Sequence, residues 1–475
     1  MVRTRYAPSP TGYMHIGNLR TALYEYLIAK GQGGVFVLRI EDTDRERYVE
    51  GALDAIFRIL ELHGLRFDEG PGTGGDFGPY VQSERLGSYL PLAKGLVEKG
   101  AAYYCFCGRE RLAGLEDEKG HKKYDRACHG LPAGDVEARL AAGAPYVIRQ
   151  LVPEGRTVFF DEVYGELSFD NKEIEDQVLI KSDGYPTYNF ANVVDDSAMK
   201  ITHVVRGSEY LSSTPKYRLL YDALGFGLPK FVHLPLLQNA QGQKISKRHG
   251  DASVLDLVES GFLPSAILNY AALLGWSPGG SREVFALDEL AREFRVSGIS
   301  KSPSAFDMAK LTWFNAEHIK LLPKEKFCEM AMPELQKAVK KEGAPLGRLA
   351  EMAQNRVSFL REVGGLFDFI DALPEYSPSL YVHKKMKTDQ AVARAALESA
   401  LPELLAAADF SPDGAAAALA AAAEKSGLTK AQVMWSVRTA LSGKPQTPCG
   451  AAEICEILGK DESARRIAVG IGKLA

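Results

Sequence analysis

The run Arg5-Tyr-Ala-Pro-Ser-Pro-Thr-Gly12-Tyr-Met-His15-Ile-Gly17-Asn18 leaves the chain few choices. Pro8, Pro10 and Gly12 can continue neither a strand ladder nor a helix, so a short strand from Arg3 to Ala7 has to turn there. Leu19, Ala22, Leu23, Tyr26 and Leu27 then recur at helical spacing, and Gly31 ends the run. A strand that feeds a helix N-terminus through a Gly/Pro loop suits an anion, because unpaired N–H groups and the helix dipole face it. His15 stands in that loop as a donor, and Gly17 leaves room for a flat ligand to approach the backbone. Alone, His-Ile-Gly-Asn reads more readily as a surface histidine before an ordinary helix.

A second stretch answers the first. Lys244-Ile-Ser-Lys-Arg248 follows a strand-like segment, Phe231 to Leu237, and carries two lysines three apart with an arginine behind them, a cationic loop suited to polyphosphate. Between the two stretches, Gly34 to Ile40 is an apolar, β-branched run of the kind found in buried parallel strands. It ends in Glu41-Asp42-Thr43-Asp44, where ligands bind in doubly wound sheets, and Glu41 is the best placed of these acids. Helices are expected from about Val49 to His63 and from Ser83 to Lys99, so strand and helix alternate as in a parallel Rossmann-type sheet. Gly70 to Gly75 is glycine-rich but lacks the lysine of a phosphate loop and reads as a plain loop.

The 475 residues exceed one ordinary core, so about two to four domains are expected. The formal net charge of −4 gives no global basic field, so any contact to nucleic acid has to come from local basic patches. No apolar run is long enough to span a bilayer, and the N-terminus reads as strand and loop instead of a signal peptide. Six cysteines, three of them clustered, argue for a reducing compartment and a metal site over a disulfide framework, which places the protein in the cytoplasm. Cys105-Phe-Cys107 with Cys128-His129 downstream can gather three or four soft ligands around zinc, although the spacing is no common finger pattern and free cysteines often serve as small buried residues.

The pair His15-Ile-Gly-Asn18 and Lys244-Ile-Ser-Lys-Arg248 resembles the two signature motifs of class I aminoacyl-tRNA synthetases. Ala7 to Gly12, Arg39 to Asp44, Asp183 to Asn192 and Val205 to Glu209 narrow the resemblance to the bacterial-type glutamyl-tRNA synthetase family, along essentially the whole chain. It implies an α/β fold: a Rossmann-type parallel-sheet catalytic domain with an α+β insertion, then an all-helical C-terminal anticodon-binding region. The implied divisions are 1–104 and 176–240 for the two catalytic halves and 105–175 for the insertion that grips the tRNA acceptor end. Residues 241–322 would carry the basic loop and a stem-contact fold, and 323–475 the anticodon domain. Leucine and alanine at helical spacing from Pro323 onward, through Ala391 to Leu405, Ala415 to Lys425, Ala431 to Leu441 and Glu453 to Leu458, agree with that last helical assignment.

What the family implies for residues is specific. His15, Gly17, Lys244 and Lys247 would carry catalysis by serving the phosphates of ATP with Mg²⁺. Asn18, Glu209, Leu236, Ile245, Ser246 and Arg248 would complete the ATP site. Arg5, Tyr188 and Arg206 would face the side chain of L-glutamate, while Ser9, Glu41 and Asn192 would hold its α-amino and α-carboxyl end. Arg206 ends a strand, and a planar cationic fork suits a carboxylate. Structural zinc would sit on Cys105, Cys107 and Cys128 with Tyr124 or His129 as the fourth ligand. Arg356 would meet the last anticodon base, against the alternative of an exposed helix charge. The implied partners are ATP, L-glutamate and tRNA(Glu), with the enzyme a monomer; some members also charge tRNA(Gln). Three other readings compete. A small-substrate nucleotidyltransferase would not need the helical third, a truncated relative acting on tRNA(Asp) lacks an anticodon domain, and a non-catalytic RNA-binding paralogue would not need both motifs intact.

Overall fold

A computed structural model describes residues 1–115, 124–239, 241–243 and 253–475. The chain forms two compact units, Met1–Ser260 with Pro264–Leu311, and Gly261–Leu263 with Thr312–Ala475. Among the described residues no helix is long and apolar enough to cross a membrane.

In the first unit, β1 (Arg3–Tyr6) pairs in parallel with β2 (Val35–Leu38), and α1 (Ile16–Lys30) is the crossover between them. Both strands are buried runs, and α1 is buried on nearly every side, which a helix embedded between sheet and neighbouring helices requires. The expected helices appear as α2 (Ala52–Leu62) and α3 (Leu86–Glu98), each slightly shorter than the periodicity suggests. A three-stranded sheet orders β3 (Ala102–Cys105), β4 (Val147–Gln150) and β7 (Val178–Ile180). A four-stranded sheet runs β6 (Gly165–Asp170), β5 (Arg156–Asp161), β9 (Lys230–Leu234), β8 (His203–Gly207). Its β5–β9 and β9–β8 pairs are parallel, and β5–β6 is a hairpin. Thr202 just before β8 donates its N–H to the Arg3 carbonyl at 2.9 Å, so β1 lies beside β8. Two short strands, β10 (Leu237–Gln238) and β11 (Ser304–Ala305), pair in parallel further on.

Residues 105–175 are not a separate body. Strand β4 pairs with β3 and β7, and β5 joins the parallel sheet through the pairing of Asp161 with Phe231. A buried core cluster runs through Tyr89, Phe159, Phe190, Val204 and Phe231, tying that segment to the parallel sheet. The second unit is helical, from Lys324–Ala338 to Lys460–Lys473. Helices Gln390–Ala406, Pro412–Ser426, Lys430–Ser442 and Ala451–Leu458 match the four apolar periodic runs there. Its core holds a fully buried arginine, Arg466, whose guanidinium donates to the carbonyls of Phe369, Leu441 and Ile370, satisfying carbonyls that would otherwise be stranded without water.

Candidate active site

The loop before α1 explains the first motif. His15 is the N-cap residue of α1, in an extended conformation, and its Nδ1 accepts the Gly17 N–H at 3.0 Å. The Asn18 Oδ1 accepts the His15 N–H at 3.4 Å, completing a capping box in which an imidazole takes the place usually held by serine or threonine. Because Nδ1 accepts, the neutral ring carries its proton on Nε2 and remains a donor there. Gly17 is needed for closeness: a Cβ at this position would lie 2.9 Å from the His15 ring. The flanks of the basic segment also meet here. A Cβ on Gly17 would sit 3.7 Å from Leu237, Ser253 bridges His15, and the Val254 N–H donates to the Met14 carbonyl at 3.0 Å. Lys244, Ile245, Ser246, Lys247 and Arg248 lie outside the described residues.

These elements surround a cavity of about 360 Å³. Arg5, Ser9, Tyr188, Arg206, His15, Gly17, Asn18, Glu209 and Leu236 are all among the residues that line it. Glu41 and Asn192 do not line it. They lie one layer behind, where Asn192 Nδ2 donates to Glu41 Oε1 at 3.0 Å and Asn192 Oδ1 accepts from Arg5 at 3.3 Å.

Arg206, at the end of β8, is only 6% exposed. It makes no ion pair among the described residues, and its Nη1 has no hydrogen-bond partner among them. Its guanidinium carbon lies 4.0 Å from the centroid of the Tyr217 ring and 5.4 Å from that of Tyr210, so aromatic faces take the place of water around the charge. A desolvated cation with an unused donor beside a cavity is arranged for an anion from outside.

Arg5 is equally buried but already paired. Its Nε donates to Asp196 at 2.9 Å and its Nη1 to Glu25 at 3.2 Å. Arg39, fully buried, pairs with the same Asp196 oxygen at 2.7 Å and with Glu41 at 3.0 Å. Two guanidiniums thus face three carboxylates. Burial pushes the Glu25 carboxyl well above the usual range and raises that of Glu41, in both cases against the pull of their arginines. Burial opposes ionisation of Asp196 too, but Arg5 and Arg39 together outweigh it and hold that carboxyl below its ordinary value. Asp195, next in line, accepts from Arg85, Gln82 and Tyr89. The adjacent acids Asp195-Asp196 are visible in the sequence, but their partners are more than 100 residues away, and nothing local marks Glu25 or Arg39 as buried.

Away from the cavity, the sulfur atoms of Cys105, Cys107 and Cys128 lie within 4.8 Å of one another. The Tyr124 hydroxyl is 3.2 Å from Cys105 Sγ and 3.4 Å from Cys107 Sγ, and Cys107 and Cys128 are 3.5 Å apart. Zinc–sulfur bonds of about 2.3 Å in a tetrahedron put sulfurs slightly under 4 Å apart, so this donor set fits a zinc ion. His129 is outside the converging group; its ring stands edge-on to Tyr103, centroids 5.3 Å apart. In the second unit, Arg356 is exposed on the turn after helix Leu346–Ala353, and Lys384, Lys385 and Lys387 are exposed as well.

Residues 1–313 match the family model of tRNA synthetases class I (E and Q), catalytic domain, and residues 326–471 match an anticodon binding domain. The glutamate–tRNA ligase of Clostridium kluyveri is 53% identical over 478 residues, covering 100% of this chain and 98% of that protein. That of Lachnoclostridium phytofermentans is 52% identical over 485 residues, covering 100% and 99%. Among solved structures, a glutamate tRNA ligase from Elizabethkingia meningosepticum in complex with its amino acid superposes with a TM-score of 0.87 at 34% identity, covering 100% of both chains. With the helix-capping histidine at a cavity, the parallel sheet beneath it and the helical second unit each inside a matched region, the chain belongs to the class I tRNA synthetases, in the branch that serves glutamate and glutamine.

Proposed function

We propose that this protein is a glutamate–tRNA ligase, joining L-glutamate to tRNA(Glu) through a glutamyl-adenylate with release of pyrophosphate and then AMP. The observation that carries the choice of glutamate is Arg206, a buried guanidinium beside the cavity with an unused donor and, among the described residues, no carboxylate of its own. A γ-carboxylate neutralises it, whereas the amide of glutamine would leave the charge unpaired. The names of relatives at 52–53% identity point the same way.

In this reading the α-carboxylate of glutamate attacks the α-phosphorus of ATP and pyrophosphate leaves. Charge builds on phosphate oxygens, so catalysis rests on positioning and electrostatic stabilisation, and no nucleophilic side chain is required. His15 Nε2–H and the N-terminus of α1 serve the phosphates, with Gly17, Asn18, Glu209 and Leu236 shaping the nucleotide side. Lys244 and Lys247, with Ile245, Ser246 and Arg248 of the same motif, serve the β and γ phosphates, and Mg²⁺ accompanies ATP. Tyr188 and Arg206 take the glutamate side chain and Ser9 its α end. Arg5 contributes its positive field from a paired state, with Asn192 bonded to it from behind and Glu41 in turn holding Asn192. The terminal adenosine hydroxyl of the tRNA then attacks the adenylate. Arg356 in the helical unit reads the last anticodon base.

We assign structural zinc to Cys105, Cys107, Cys128 and Tyr124. Elemental analysis of the purified protein is expected to find about one zinc per chain, consistent with a four-ligand structural site. Chelation is expected to expose Cys105 and Cys107 to thiol reagents and to lower the melting temperature. Metal-free protein with freely reactive thiols and an unchanged melting temperature would remove the assignment.

Charging with labelled glutamate on purified transcripts of tRNA(Glu) and tRNA(Gln) tests the function as a whole. Glutamate is expected on tRNA(Glu). Charging of tRNA(Gln) as well would extend the substrate range, and charging of neither would refute the proposal.

A further inference from the structure

We infer that Asp161 and His233 are positioning residues that lock Arg206 in the orientation needed to discriminate the amino-acid side chain. The inference rests on the reading of Arg206 given above and deepens it. All three residues lie on neighbouring strands. Arg206 on β8 is the direct register partner of His233 on β9, so their side chains leave the same face of the sheet, and Asp161 ends β5 where β5 pairs with β9. Asp161 and His233 are both completely buried.

The proton positions follow from donor chemistry. An arginine Nε–H can only donate, and it lies 3.3 Å from His233 Nε2, so that nitrogen accepts. His233 is therefore neutral, with its proton on Nδ1, which donates to Asp161 Oδ2 at 2.6 Å. Burial, the largest influence on His233, holds its pKa below the ordinary value despite the opposing pull of Asp161, in agreement with a neutral ring. Asp161 is itself immobilised: Oδ1 accepts the N–H groups of Val163 and Tyr164 at 2.9 Å each, and Oδ2 also takes the His233 N–H at 3.1 Å. Thr214 Oγ1 accepts from Arg206 Nη2 at 3.2 Å, and its single proton is shared between the Tyr210 carbonyl at 2.9 Å and His233 Nε2 at 3.0 Å, a second donor to the same accepting nitrogen. Two of the three nitrogens of the guanidinium are thus held by neutral acceptors, neither of which cancels its charge, and Nη1 is left over. A carboxylate in place of His233 would have neutralised the arginine and removed its use for a substrate anion. The imidazole supplies direction without charge, and Asp161 keeps it in the tautomer that does so.

Steady-state ATP–pyrophosphate exchange, with tRNA present and glutamate or glutamine as substrate, tests this on the full-length protein. His233→Asn keeps a donor toward Asp161 but has no acceptor for Arg206. It is expected to raise KM for glutamate about tenfold with kcat within about twofold, and to lower the glutamate-over-glutamine ratio of kcat/KM by about tenfold. His233→Gln can place an amide oxygen near the lost Nε2 and is expected to recover most of the ratio. Asp161→Asn turns an NH₂ toward Nδ1, moves the imidazole proton to Nε2 against the arginine, and is expected to lower the ratio in the same way; it also serves if His233→Asn does not fold. In an Arg206→Gln background, His233→Asn is expected to lower the ratio no further, because the two act through one contact. A ratio that falls in Arg206→Gln but not in His233→Asn or Asp161→Asn, or losses that add in the double variant, would overturn the inference. An unchanged ratio in Arg206→Gln itself would instead remove the reading of Arg206 on which it rests.

Discussion

Arg206→Gln is expected to lower kcat/KM for glutamate by about 10²- to 10³-fold, and to lower it far less, or raise it, for glutamine. The reason lies in what surrounds the charge. Arg206 is packed among the rings of Tyr217, Tyr210 and Phe231 and has no anionic partner among the described residues. Its attraction for a carboxylate is therefore weakly screened, and the arriving anion meets a cation already stripped of most of its water. Glutamine at this position keeps hydrogen-bonding capacity but not the positive charge, so the γ-carboxylate loses its counter-charge while a substrate amide meets no mismatch. Exchange assays on both amino acids read the two effects separately. If the ratio of kcat/KM values does not move, the side chain is read elsewhere in the cavity.

The second large effect concerns folding. Asp196→Ala is expected to destabilise the first unit by about 3–5 kcal/mol, seen as a lower denaturant midpoint. Asp196 Oδ1 is shared between Arg5 Nε at 2.9 Å and Arg39 Nη1 at 2.7 Å, and all three side chains are buried. Removing it leaves two guanidiniums with only Glu25 and Glu41, of which Glu25 is the carboxyl most disposed to stay protonated. Alanine therefore creates uncompensated buried charge as well as a void. Asp196→Asn keeps the shape and one acceptor and is expected to lose less. A midpoint for Asp196→Ala equal to that of the unsubstituted protein would show that the network is dispensable for stability.

The elements that local chemistry decides were readable in advance. Pro8, Pro10 and Gly12 force the turn before α1, and the 3.6-residue recurrence from Leu19 to Leu27 and in the four runs between Ala391 and Leu458 marks helices that the structure contains. Strand β2, with its apolar run, and the residues around His15 were legible for the same reason: each signal lies within a few residues of chain. The resemblance to a known family rests on such local words too, and the full-length matches agree with it.

Tertiary structure decided the layers behind those words. Glu41 and Asn192 share a neighbourhood with the cavity but sit behind Arg5, because each finds its partners in the buried network. Residues 105–175 read as an insertion, yet β5 within them enters the parallel sheet and delivers Asp161 to His233, 72 residues further along the chain. Tyr124, not His129, stands against the cysteines, since the turn after Tyr124 carries the His129 ring toward Tyr103. In sequence, a buried aspartate looks the same as a surface one, and so does a paired arginine. Local chemistry along the chain settles where strands turn into helices and which residue types could meet an anion. Only folding determined which charges lost their water and which found partners, because both depend on groups brought together from distant parts of the chain.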